Sequence, residues 1–161
     1  MEKLSEEAKQ IVKQNLYLCL ATVKLDNTPW VSPVYFNYDE NFTLYWRSGK
    51  DSLHSQLITK NSHVAIAIFN SQVPWGTGTG VYLEAIAAEV PPKELTKALK
   101  AFYGGPHSPP QDYFNNPKYY IGELPRRIYQ ATPKKFWILG SEEIHGQPID
   151  KRIEINLKDK T

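Results

Sequence analysis

The sequence predicts a mainly β protein, an antiparallel barrel of six to seven strands with a few helices between them. Three observations predict it. The first three strand-like runs are joined by turns too short for parallel crossovers. Further β-rich runs follow, each bounded by turn residues. Helical periodicity is confined to three stretches. At 161 residues, with 12% aromatic and 22% charged residues, the composition is that of one ordinary globular domain, residues 1–161.

Leu4 to Gln14 reads as an amphipathic helix. Leu4, Ala8, Ile11 and Val12 form its apolar stripe, with Ser5 as the expected N-cap and Glu6 and Glu7 in the first turn, where the dipole favours acids. The period then shortens. Leu16 to Lys24 and Trp30 to Tyr38 are β-rich, and Asp26-Asn27 between them predicts a hairpin. Pro33 removes a ladder donor, which points to an edge, a bulge or a backbone that faces a ligand. After the turn Asp39-Glu40-Asn41, Phe42 to Arg47 completes a meander.

Ser48-Gly49-Lys50 breaks the third strand, and Asp51 or Ser52 caps a helix to about Lys60. His63 to Asn70 and Gly80 to Val90 are the next strands, separated by the loop Ser71 to Gly78. Pro91-Pro92 opens a helix to about Tyr103, since proline suits a first turn. Gly104 to Pro125 is rich in proline and aromatic residues and lacks a clear period, a combination expected of a functional segment. Arg126 to Ala131 and Lys134 to Leu139 read as two closing strands split by Thr132-Pro133. The Lys-rich end, and Glu142-Glu143 before it, read as solvated.

Several functions fit poorly. The net charge of +2 gives no field for DNA or an anionic membrane. The single cysteine, Cys19, lies in an apolar run and reads as a core thiol. His54, His63, His107 and His145 have no metal-ligand spacing. The glycines of Gly76-Thr77-Gly78-Thr79-Gly80 precede a β-type run, so they do not make a dinucleotide fingerprint. Trp75 beside them either packs locally or covers a neighbouring surface. The N-terminus lacks the basic and apolar regions of a signal peptide, and no apolar run reaches the roughly eighteen residues that span a bilayer. A soluble cytoplasmic protein is expected, binding neither nucleic acid nor membrane.

The most informative segment is Tyr45 to Leu57, YWRSGKDSLHSQL. A strand ends in a polar turn and a helix starts at once. Ser48, Ser52 and Ser55 supply hydroxyls, Arg47 and Lys50 cations and His54 an imidazole, beside the free N–H groups of a helix start. Such a set can hold a phosphate, although an ordinary capped helix has the same appearance.

The order of segments resembles the FMN-binding split-barrel superfamily of pyridoxamine 5′-phosphate oxidase-like proteins. The stretches that carry the resemblance are LCLATVKLDNTPWVSPV (Leu18 to Val34), LYWRSGKDSLHSQL (Leu44 to Leu57), HVAIAIF (His63 to Phe69), GTGVYLEAIA (Gly78 to Ala87) and, more weakly, YQATPKKFWIL (Tyr129 to Leu139). The resemblance implies an antiparallel split barrel, a homodimer with FMN at its interface, and a small-molecule substrate or electron donor. It implies that Ser32, Pro33 and Val34 face the isoalloxazine and that Trp46, Arg47 and Ser48 follow the ring edge and ribityl chain. Lys50, Ser52, His54 and Ser55 hold the phosphate, and Trp75 and Trp137 reach across the dimer. Arg47 or a backbone donor stabilises the reduced ring, and Gly104 to Pro125, with Tyr113 and Tyr119, forms a substrate wall or lid. Departures from the vitamin B6 oxidases are also visible. Ser32 stands where they carry an arginine, Lys50-Asp51-Ser52 replaces their Ser-Arg-Lys triplet, and their C-terminal Arg-x-His element has no counterpart near Gln147 to Leu157. A related FMN oxidoreductase is implied rather than a B6 oxidase, with a non-catalytic flavin carrier, a deazaflavin binder or a heme binder as alternatives.

Overall fold

A computed structural model describes residues 2–109 and 114–157. Helix α1 (Glu2–Gln14) leads into β1 (Tyr17–Val23), β2 (Pro29–Tyr38) and β3 (Leu44–Gly49). Then come α2 (Leu53–Lys60), β4 (His63–Phe69), β5 (Gly80–Glu89), α3 (Leu95–Gly104), β6 (Arg126–Ile144) and β7 (Gln147–Ile155). The strands follow the order β3-β2-β1-β4-β5-β6-β7, and a further β3–β6 pairing closes the first six into a barrel. Every neighbouring pair is antiparallel. The expected mainly β split barrel is the fold.

Alternation builds the interior. Leu18 and Leu20 of β1, Phe36 of β2, Leu44 and Trp46 of β3, Ile66 and Ile68 of β4 and Ile138 of β6 are all but fully buried. Each such large apolar side chain adds roughly 1.5–3 kcal/mol on burial. Ala8, Ile11 and Val12 of α1 and Ile58 of α2 join the same cluster. Helix α3 packs outside the barrel with a second cluster that includes Tyr45, Leu95, Leu99, Phe102, Tyr120 and Ile128.

Three expectations need correction. Arg126 to Leu139 is one strand, not two. Pro133 is accommodated at a bulge, where Glu84 faces Lys135 and Ala85 faces Pro133, so Lys134 is the extra residue. The tail is not merely solvated, because Gln147–Ile155 pairs with the end of β6. His145 (φ 51°) and Gly146 (φ 75°) make the two-residue turn of that hairpin, the left-handed pair such tight turns require. Helix α1 already runs at Glu2, so Ser5 lies inside it rather than capping it.

Among the described residues no helix is long and apolar enough to cross a membrane.

Candidate functional site

Strands β2 and β3 pair only where Phe36–Tyr38 faces Leu44–Trp46. Before Phe36, β2 pairs with β1 alone, and beyond Trp46, β3 pairs with β6 alone. The two strands diverge, and the wall opens between Trp30–Tyr35 on one lip and Arg47–Gly49 on the other. Each lip carries main-chain N–H and C=O groups with no strand partner on the open side, groups that seek hydrogen bonds. Pro33 stands on this lip, where its missing N–H interrupts no second ladder. The edge reading of Pro33 therefore agrees with the pairing. The Ser32 and Val34 side chains point inward, with Ser32 Oγ accepting from Trp30 Nε1 at 3.1 Å, while Pro33 points outward and is exposed.

At the end of β3 the chain turns through Lys50–Ser52 into α2. Four side chains meet in this turn. His54 Nε2 lies 2.8 Å from Ser48 Oγ and 3.2 Å from Ser52 Oγ. Ser52 Oγ is also 2.8 Å from Ser55 Oγ and 2.9 Å from the Gly49 carbonyl oxygen. Ser52 is the N-cap of α2 by position, yet its side chain caps no N–H group. The first-turn donors of α2 are thus left to an external acceptor. Burial lowers the pKa of His54, which favours the neutral ring. Lys50 is anchored by its amide, which donates to the Pro125 carbonyl at 2.8 Å. Its ammonium stands 3.9 Å from the exposed Glu123 carboxylate, a contact of little strength.

Arg47 points to the outer side of β3. Its guanidinium donates to Tyr103 Oη at 3.3 Å, and Tyr103 Oη lies 3.0 Å from Tyr120 Oη. Burial, reinforced by the Tyr103 hydrogen bond, pushes the Tyr120 phenol pKa well up. Tyr103, Tyr120 and Phe114, whose ring lies 5.4 Å from the Arg47 guanidinium, are neighbours that no local sequence pattern indicates. Tyr113 lies outside the described residues.

The structure brings Ser32, Pro33, Val34, Arg47, Ser48, Lys50, Ser52, His54 and Ser55 to the split and its adjoining turn. Ser55 is buried and reaches outward only through Ser52. Trp46 is a correction. Its indole is fully buried in the barrel and stacks on Tyr129 at 5.8 Å, and its main chain is paired to both Phe36 and Tyr129. Leu44, Trp46 and Ser48 share the inner side by alternation, so the residue beside Arg47 belongs to the core.

Trp137 lies elsewhere on the same chain. Pro33, Cys19, Ala67, Tyr82 and Trp137 face one another in a row across β2, β1, β4, β5 and β6. Four strand spacings of about 4.8 Å separate its ends by roughly 19 Å. Trp75 is wholly exposed, so it does not pack locally. The outer face of β2, β1 and β4 around the row is largely apolar, with Tyr17, Val31 and Phe69 60%, 57% and 49% exposed, whereas Glu84, Lys135 and Arg152 lie towards its β5–β6 end.

A closed antiparallel barrel whose wall opens between two strands defines a split-barrel protein. The chain belongs to the pyridoxamine 5′-phosphate oxidase family, whose model matches residues 4–139. Solved structures share the fold. The heme binding protein of Mycobacterium smegmatis matches with a TM-score of 0.65 at 19% identity, over 92% of this chain and 57% of that one. This chain thus spans less than two thirds of that protein. HutZ, the heme storage protein of Vibrio cholerae, matches with a TM-score of 0.62 at 16% identity, over 80% of this chain and 89% of that one. An F420 reductase matches with a TM-score of 0.56 at 20% identity, over 80% and 94%. No curated protein matches the chain by sequence.

Proposed function

We propose that the split binds FMN and that the protein is an FMN-dependent oxidoreductase, working as a homodimer on a small-molecule substrate or electron donor. One observation carries this reading. Two unpaired strand edges face each other across the split, and the β3 edge runs directly into the turn where Lys50, Ser52, His54 and the uncapped start of α2 gather. A planar heterocycle with donors and acceptors along its rim, joined to a phosphate, has the chemistry both parts lack.

In this reading Lys50, Ser52, His54 and the first N–H groups of α2 hold the phosphate, and Ser55 positions Ser52. The main chain at Ser32–Val34 and Arg47–Ser48 binds the ring rim and orients it. Bound flavin supplies hydride or single-electron transfer. The Arg47 guanidinium, fixed by Tyr103, holds positive charge next to the lip, where it opposes protonation of an anion formed there. The apolar outer face of β2, β1 and β4 supports a second copy as the partner, because an open apolar sheet face beside a site marks an interaction surface. Such a copy would lie against the lip at Pro33, and in this reading Trp75 and Trp137 reach across to it.

The departures at Ser32 and Lys50-Asp51-Ser52 argue for a reaction other than vitamin B6 oxidation, and the hairpin strand β7 occupies the C-terminal region. The test is the visible spectrum of the purified protein, with the chromophore released and identified, followed by reduction with a reduced nicotinamide. A flavin spectrum and turnover are expected. Tight flavin without turnover would make it a carrier. A Soret band, or a deazaflavin in the released fraction, would replace FMN with the ligand named for its structural relatives.

A further inference from the structure

Beside the polar turn lies a second cavity of about 170 Å³, lined by Phe114, Tyr119, Tyr120, Leu124, Pro125 and Arg126. It adjoins the split, because Arg126 pairs across from Gly49 and Pro125 accepts the Lys50 amide. Five of its six lining residues are apolar or aromatic. The volume is well below the roughly 300 Å³ at which pockets for drug-sized molecules begin, so it suits one ring rather than a fused ring system.

One lining residue, Arg126, is cationic, and Arg47 stands close by across the Phe114 ring. The Phe114 ring lies 5.4 Å from the Arg47 guanidinium and 5.7 Å from that of Arg126. An aromatic ring engages the face of a guanidinium, whereas its N–H donors radiate in the plane. Phe114 thus stands beside both guanidinium groups, each with five N–H donors, one of which, on Arg47 Nη1, is directed at Tyr103. Among the described residues neither Arg47 nor Arg126 forms an ion pair. The adjacent Arg127 behaves differently. It pairs with Glu89 at 3.0 Å and donates to the carbonyls of Gly122, Leu124 and Arg126, so its role is structural.

We infer that this cavity binds a planar single-ring aromatic acid, its ring against Tyr119 and Leu124 and its carboxylate on the free donors of Arg126 and Arg47. As a ligand site it stands on its own residues; as the substrate subsite of the oxidoreductase it rests on the flavin reading above.

Ligand-observed NMR titrations with benzoate, benzamide and acetate test it, each run with and without FMN. Benzoate is expected to bind at least about ten-fold more tightly than either benzamide, which lacks the charge, or acetate, which lacks the ring. Arg126→Gln, on an exposed side chain, should erase the preference for benzoate over benzamide. Leu124→Trp should fill the cavity and abolish binding of both aromatic probes. Equal affinity for benzoate and benzamide, or unchanged benzoate binding in both variants, overturns the inference. Benzoate binding without any FMN binding keeps the cavity and removes the flavin reading. FMN binding without benzoate binding does the reverse.

Discussion

His54 Nε2 lies 2.8 Å from Ser48 Oγ, so the first turn of α2 is tied to the end of β3 through a single imidazole. The ring is held in surroundings that lower its pKa from 6.5, with burial as the cause. A histidine depressed in the fold contributes stability that is present above its unfolded pKa and lost as pH falls below it, because the unfolded chain takes up the proton first. Urea unfolding followed from about pH 8 to about pH 5 should therefore show a steeper loss for the wild type than for His54→Asn. Parallel curves would mean that His54 is not held neutral.

The cluster around that contact should also govern cofactor affinity. Lys50→Ala and Ser52→Ala are each expected to weaken FMN binding by roughly ten- to a hundred-fold, the equivalent of a charge-assisted hydrogen bond worth about 1.5–3 kcal/mol. Trp46→Phe should leave FMN affinity within about two-fold, because its indole is fully buried in the barrel interior and its Nε1 has no hydrogen-bond partner. Equilibrium titration by flavin fluorescence reads all three. A Trp46 effect as large as that of Lys50 would return the indole to the site.

Much of the fold is legible in short windows. The stripe of α1, the meander β1 to β3 and the strand-to-helix turn at the start of α2 each depend on residues close in sequence. The closure of the barrel does not, since Leu44–Gly49 finds Arg126–Ala131 only once the strands between have folded. The β6–β7 hairpin was masked by its charge. Alternating Glu, Asp, Lys and Arg reads as a solvated tail, although His145-Gly146 is a suitable tight turn. The candidate site divides in the same way. Ser48 to Ser55 is contiguous and readable as a possible phosphate turn. The packing of Arg47 with Tyr103 and Phe114 crosses more than one element and has no sequence signature.

Two glycines should respond differently to alanine. A Cβ at Gly105 would stand 2.3 Å from Asn37 Oδ1 and 2.7 Å from the Ala101 carbonyl oxygen. Asn37 is fully buried, accepts from the His107 amide and donates to the Phe102 carbonyl, so it cannot give way cheaply. Gly105→Ala should cost about 1–3 kcal/mol by chemical denaturation. At Gly140 the nearest atom, 2.4 Å away, is the terminal methyl of Ile153, which can rotate aside. Gly140→Ala should cost under about 1 kcal/mol. The reverse order would show that the Asn37 network yields more readily than an aliphatic tip.

The outer sheet face offers the sharpest test of the homodimer. Ala67 lies in the middle of the row from Pro33 to Trp137, on the solvent side of β4, so an arginine there can point outward without disturbing the core. If a second copy covers this face, Ala67→Arg brings a bulky charged side chain into a close contact between the copies, a substitution that opposes association. Analytical ultracentrifugation should then find a dimer for the wild type and a monomer for Ala67→Arg, with the far-UV spectrum unchanged. FMN affinity should fall together with the dimer, because the lip at Pro33 continues into the same face. Lys50→Ala should weaken FMN binding while remaining dimeric, which separates a damaged phosphate turn from a lost partner. A wild-type protein that sediments as a monomer and still binds FMN tightly would confine the cofactor site to one chain.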